Sequence, residues 1–308
     1  MTDDGERALR SRPPEQAIRW VESSIGPDTR VTSIRRLHGG DSSAVHILTV
    51  LQDEQPRRLV LRRLVREDWL AREPDLARRE AAALRLLEGS KLPVPRLIAL
   101  DEDGSSAGVP SVLMTWLPGR VQLQPRDLDL WLAQMAALLP QVHAIRPATA
   151  QFPWVYAPYT PPRGVRVPEW TARRQAWTDI VEFARGPRPQ APESLIHRDY
   201  HPANLLWSRG RITGIVDWVN ACRGPAGVDI GHCRRNLAIL HGVAVADRFL
   251  EHCLDWADYN PYWDILSLLD ADLDAPVHSG WLDLSARISA ADAHAHLDEY
   301  AASLAARL

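Results

Sequence analysis

Residues 194–221, SLIHRDYHPANLLWSRGRITGIVDWVNA, concentrate the side chains that could do chemistry. Asp199 and Asn204 stand five residues apart, and Asp217 follows thirteen residues after Asn204. Transferring a phosphoryl group to an alcohol asks few groups of a protein. One carboxylate must take the acceptor's proton, oxygen ligands must hold magnesium on the triphosphate, and the geometry must be in line. A turn that delivers Asp199 and Asn204, then a hairpin (LLW, the turn SRGR, ITGIV) that ends on Asp217, meets those needs. Asn offers a neutral oxygen and Asp217 a charged one, a pair suited to a hard cation that keeps several waters. A rival reading uses His197, Asp199 and His201. At alternate positions of a strand these three share a face and could bind zinc as a hydrolase triad. It leaves Asn204, Asp217 and Trp218 without roles.

The run His197-Arg198-Asp199-Tyr200-His201-Pro202-Ala203-Asn204, followed by Val216-Asp217-Trp218, resembles the signature of the aminoglycoside phosphotransferases and their choline-kinase-like and protein-kinase-like relatives. The resemblance covers most of residues 31–270. It implies that Asp199 is the catalytic base and that Asn204 and Asp217 are magnesium ligands. It also implies an α+β fold of two lobes: a β-rich nucleotide-binding lobe over residues 1–117 and a mainly helical catalytic and substrate-binding lobe over 118–308. The cofactor would be Mg2+ and the co-substrate ATP or GTP. The acceptor would be a small molecule bearing a hydroxyl, with an aminoglycoside, another antibiotic, an amino alcohol such as choline and a sugar all open, and the enzyme an antibiotic-modifying kinase in the first two cases. A catalytically silent nucleotide-binding module is the alternative from another class.

The elements that must position these groups can be read from period and turn chemistry. VTSIRRL (31–37), VHILTV (45–50) and RLVLRRLV (58–65) form an antiparallel meander with a polar turn at 52–57. A helix over 75–89 carries Ala77, Ala81 and Leu84 on one stripe and stops at Gly89. Strands follow at 96–101 and 109–119. Beyond 120 the pattern turns helical, with Leu128, Leu132, Met135, Leu139 and Val142 in helical spacing. Short strands return at 194–197, 204–207 and 212–216, and helices fill the chain from 229 on. Residues 1–16 read as a loose leader. On this frame the resemblance places Gly39, Gly40, Ser42 and Ser43 at the phosphate-covering turn. It places Arg62 where the family carries Lys, with Glu80 as its helix partner and Arg63 as the fallback. The single Lys, Lys91, lies after the helix and cannot serve. VLMTWLPG (112–119) matches the hinge, where Met114, Thr115 and Leu117 would line the adenine site, the last two through their backbones. Asp229 reads as a structural tie to the catalytic loop, and His143 as a packed helix residue.

Residues 251–274 hold seven acids and no Lys or Arg, interleaved with aromatics. One reading is a solvated helix face. The sharper one is a wall for a cationic acceptor, with Asp255, Asp258, Tyr259 and Trp263 as contacts and Asp264 as either a contact or a cap. The second half favours such a partner: residues 121–308 carry 17 basic against 21 acidic side chains, whereas residues 1–120 carry 19 against 18. A net charge of −3 over 308 residues disfavours nucleic acid as a partner. No run of 18 apolar residues exists to span a membrane. Three cysteines without a CxxC pair, behind a polar N-terminus, suit a reduced compartment, the cytoplasm.

Overall fold

The computed structural model describes residues 8–37, 43–277, 279–284 and 286–308. The chain forms two compact units. Unit 1 holds the residues up to Gly119 together with Thr213–Asn220, and unit 2 holds Arg120–Ile212 and Ala221–Leu308.

Unit 1 begins with α1 (Glu15–Ile25), then the strands β1 (Arg30–Arg36), β2 (Ala44–Gln52) and β3 (Gln55–Arg63). Helices α2 (Glu67–Arg72) and α3 (Leu76–Leu87) follow, and then β4 (Leu97–Asp101) and β5 (Ser111–Thr115). The five strands make one antiparallel sheet in the order β1-β2-β3-β5-β4. Strand period decides its two faces. Leu48, Val50, Leu59, Leu61 and Leu113 point one way and bury against Ala17, Trp20 and Val21 of α1. Val45, Arg62 and Val112 are cross-strand neighbours on the other face. Helix α3 packs against β4, β5 and the turn Trp218–Asn220 and buries Leu76, Ala77, Glu80, Ala81 and Leu84. The turn expected over 52–57 is tighter than that. β2 and β3 run to Gln52 and Gln55, and only Asp53 and Glu54, at φ 49° and 59°, make the turn. Two residues at positive φ twist in the same sense as the strands, so pairing continues to the tip. Within the segment read as a leader, Leu9 and Pro13 are buried and Arg10–Arg12 and Pro14–Gln16 are exposed.

Unit 2 opens with β6 (Arg120–Val121) and α4 (Leu128–His143), then α5 (Arg174–Arg185), β7 (Glu193–Ile196) and β8 (Leu205–Ser208). β9 (Arg211–Ile215) carries the chain back into unit 1. The rest is β10 (Cys222–Pro225), α6 (Gly227–His241), α7 (Val243–Glu251), α8 (Pro261–Leu269), α9 (Ser279–Asp283) and α10 (Ala290–Ala305). β7 pairs antiparallel with β10, Ile196 opposite Cys222. Two glycines let α6 approach α8 closely: Gly227 lies against the Trp263 ring, and a Cβ on Gly231 would stand 2.6 Å from the Trp263 carbonyl oxygen. No helix among the described residues is long and apolar enough to cross a membrane.

Candidate active site

In unit 2 the catalytic segment leaves β7 at Ile196 and turns sharply. Arg198 sits at φ 67°, a left-handed conformation that costs a non-glycine residue and persists only where its surroundings fix it. Asp229, at the start of α6, supplies that fixing. Its buried carboxylate accepts from His197 N (3.0 Å), Arg198 N (2.7 Å) and His143 Nε2 (2.9 Å). Burial pushes this carboxyl upward, but the bonds from His143 and His197 prevail and hold it below its usual range. Tyr200 is fully buried and donates to Met135 O, tying the loop to α4.

The turn presents Asp199 with 28% of its side chain open. Asn204 Nδ2 donates to the Asp199 carbonyl (2.9 Å) and to Oδ2 (3.1 Å). His232 Nε2 stands 3.0 Å from Oδ1 and His201 Nε2 3.6 Å from the same atom. Burial disfavours the Asp199 anion, yet the surrounding histidines hold the carboxyl far below the ordinary range. With both Asn204 N–H donations committed to Asp199, its amide oxygen is the atom left for a cation.

The zinc reading fails on geometry. At Arg198 the strand alternation ends, and His197 is fully buried away from the other two. Asp199, His201 and His232 do bring ligand atoms within 4.8 Å of one another. However, His201 Nδ1 accepts from Ala203 N, which leaves the proton on the Nε2 that faces Asp199. The Arg235 guanidinium stands 3.2 Å from His232 Nε2. A cation beside that nitrogen opposes a metal, so the cluster is a hydrogen-bond network around Asp199.

In unit 1, Arg62 is the penultimate residue of β3 and is 6% exposed. Its Nη1 lies 2.7 Å from Asp217 Oδ1 and 3.5 Å from Glu80 Oε1, so one guanidinium bridges the two carboxylates. Glu80 is 1% exposed, and burial pushes its carboxyl up to about 7 against the pull of Arg62. Asp217 stands at φ 69° with 24% of its side chain open. Arg63 points to the opposite face, buried there near His46, and its guanidinium does not reach these acids. Trp218 is fully buried with Nε1 on Ile215 O, a packing residue.

Of the other nucleotide-site candidates, Met114 lies opposite Val60 and is 6% exposed. Thr115 donates its backbone N–H to Arg96 O and accepts from Arg96 N through Oγ1, so that N–H is committed to the sheet. Thr115 and Leu117 line a pocket of about 360 Å³ with Leu87, Leu92, Pro95 and Trp116, which does not include Arg62, Glu80 or Met114. Ser43 is buried immediately before β2. Gly39, Gly40 and Ser42 lie outside the described residues.

The acceptor wall is corrected. Trp263 is 3% exposed and packs with Tyr156, Ile196 and Leu266 in a core cluster, so it presents no binding surface. Asp264 is 1% exposed and ion-paired with the fully buried Arg234. Tyr259 donates its hydroxyl to Asp264 Oδ2 (2.6 Å), and Asp247 sits on Arg234 Nη2. Two of the expected contacts, Tyr259 and Asp264, therefore belong to a structural ion-pair network and a third, Trp263, to the core, while Asp255 and Asp258 are exposed. The residues that sequence reasoning missed are His232 and Arg235. The signal was there: Asp229-x-x-His232-x-x-Arg235 puts all three on one side of a helix that starts at the loop's own anchor.

Residues 33–269 match the family model described as "Phosphotransferase enzyme family". A homoserine kinase of Pseudomonas aeruginosa is 29% identical over 157 residues, 46% of this chain and 47% of that protein, so the match spans about half the length of the curated relatives. Among solved structures, a thermostable mutant of aminoglycoside phosphotransferase APH(4)-Ia, in complex with AMP-PNP and hygromycin B, superposes with a TM-score of 0.62 at 18% identity, covering 95% of this chain and 100% of that one. The macrolide 2'-phosphotransferase MphH of Brachybacterium faecium gives 0.56 at 18% identity, covering 92% and 96%. The fold is the α+β, protein-kinase-like fold of those enzymes.

Proposed function

Since the chain belongs to the phosphotransferase enzyme family, we propose that it transfers the γ-phosphoryl group of ATP or GTP to a hydroxyl of a small-molecule acceptor. The observation that carries this reading is the Asp199 carboxylate, open to solvent yet held through both oxygens on a loop pinned by Asp229. In the proposed reaction the acceptor oxygen bonds to the γ-phosphorus as the bond to the β-γ bridging oxygen breaks. The hydroxyl proton passes to Asp199 and the nucleoside diphosphate leaves. Asn204 and Asp217 are the proposed magnesium ligands. The free amide oxygen of the one and the quarter-open carboxylate of the other fit a hard cation. Bound magnesium would neutralise charge on the phosphates. Arg62, fixed by Glu80, is proposed to bind the α- and β-phosphates in place of Lys, with Met114, Thr115 and Leu117 beside the adenine and the segment Gly39–Ser43 over the phosphates.

The acceptor classes to test are those of the similar proteins: amino-sugar antibiotics, macrolides and homoserine. The proposal takes the form of an antibiotic-modifying role, supported by the aminoglycoside and macrolide phosphotransferases among the solved neighbours, and places it in the cytoplasm. Of the expected acceptor contacts, Asp255 and Asp258 are exposed and are the carboxylates proposed to meet a cationic acceptor. The test is Asp199→Ala, assayed by nucleoside diphosphate release across that panel. Transfer should vanish while Mg–ATP affinity by calorimetry stays within about threefold. Transfer at the wild-type rate would remove Asp199 from the reaction.

A further inference from the structure

Helix α6 does more than anchor the loop. Asp229 fixes the loop backbone, and one turn later His232 reaches the Asp199 side chain. A further turn on, Arg235 lies across the His232 ring, with Nη2 3.4 Å from Nδ1 and 3.2 Å from Nε2. Its Nη1 is held 2.9 Å from Ser267 O on α8. Burial and the neighbouring Arg235 depress His232 to about 4, so the ring is neutral at physiological pH. A neutral imidazole carries one N–H. Asp199 Oδ1 stands 3.0 Å from Nε2 and, as a carboxylate oxygen, can only accept, so that proton is on Nε2.

A carboxylate held through one oxygen still turns about its last side-chain bond. Asn204 holds Oδ2, and a second donor on Oδ1 removes that freedom. We infer that His232 is a positioning residue for phosphoryl transfer, its Nε2–H fixing Asp199 Oδ1 while Arg235 fixes His232. The inference rests on the reading of Asp199 as the base. A displacement of about 1 Å at a reacting group can cost on the order of 100-fold in rate, which sets the scale of the effect.

The test compares wild type, His232→Ala and His232→Gln. Glutamine places an amide N–H at nearly the reach of Nε2. Release of ADP from Mg–ATP is followed with water, hygromycin B, erythromycin and L-homoserine as acceptors. His232→Ala should lower kcat by about 10- to 100-fold with the nucleotide KM unchanged, and His232→Gln should recover most of it. Nitrogen-15 spectra of the wild-type imidazoles should also show His232 as the Nε2–H tautomer, perturbed by Asp199→Asn. A kcat for His232→Ala within about threefold of wild type, or equal loss in the Ala and Gln variants, overturns the positioning role. So does a His232 resonance indifferent to Asp199→Asn. Wild type that releases no ADP with any acceptor instead overturns the kinase reading, and this inference with it.

Discussion

Replacing Arg62 by methionine keeps the length of the side chain and removes its charge. The guanidinium is 3.5 Å from Glu80 and 2.7 Å from Asp217. At an effective dielectric near 20, a unit pair at ~3.5 Å attracts by about 5 kcal/mol. Glu80, however, has a way out: with Arg62 in place its carboxyl already titrates at about 7. Without the guanidinium that value rises further, and Glu80 stays protonated instead of bearing a buried, unpaired charge. The sign follows from linkage. A carboxyl whose folded-state value lies above its unfolded value of 4.5 contributes stability that is lost as pH rises through the folded value. In wild type that loss is complete near pH 7, and in Arg62→Met it continues upward. The deficit of the variant should therefore be nearly constant below pH ~7 and widen by about 3 kcal/mol between pH ~7 and ~9, at 1.36 kcal/mol per pH unit. Urea unfolding at pH 6 and pH 9 measures it, and Arg62→Met/Glu80→Gln should abolish the widening while still binding nucleotide poorly. A deficit equal at both pH values, or one that widens unchanged in the double variant, would refute the coupling of Arg62 to Glu80.

Asp229→Asn keeps the shape but turns an amide N–H toward a backbone donor. It should cost about 3 kcal/mol in urea unfolding, since hydrogen bonds to a buried charge are worth ~1.5–3 kcal/mol each, and should slow transfer through the loop; unchanged stability would remove the tie. Asp264→Asn leaves the buried Arg234 without its closest anion. Breaking such a pair costs about 3–5 kcal/mol, so the unfolding midpoint should fall while the acceptor KM holds. A stable variant with a raised acceptor KM would return Asp264 to the substrate.

What was legible in the sequence is what local spacing determines. The loop from His197 to Asn204 and the hairpin beyond it are contiguous, so their residue types alone indicate the chemistry. Strand period put Arg62 and Arg63 on opposite faces, and helix period put Glu80 on the buried side of α3. His232 and Arg235 escaped because their roles depend on where α6 docks. That docking is set by Gly227 and Gly231 accepting α8 at close range, a tertiary fact with no trace in a window of ten residues. The acidic run misled for the same reason. Its cation, Arg234, lies thirty residues upstream, so a segment without Lys or Arg seemed uncompensated when its most buried acid was already paired.

The Arg62 substitution was the one argument for a silent module, and the geometry changes its weight. Lysine is a point charge on a flexible stem, whereas the guanidinium is a planar fork with five donors. Arg62 uses one nitrogen on two carboxylates from two elements, Glu80 of α3 and Asp217 beyond β9, and is itself buried to 6%. Glu80 is pushed toward its neutral form chiefly by burial, with the Asp217 charge adding to the rise and Arg62 opposing it. With Glu80 neutral, Arg62 and Asp217 form a balanced pair, which in the proposed reaction would exchange partners: phosphate oxygens for the guanidinium, a divalent cation for Asp217. A silent module has no need of a poised pair of this kind. Arg in place of the expected Lys therefore changes how the charge is carried and leaves in place the two acids on which the proposed transfer rests.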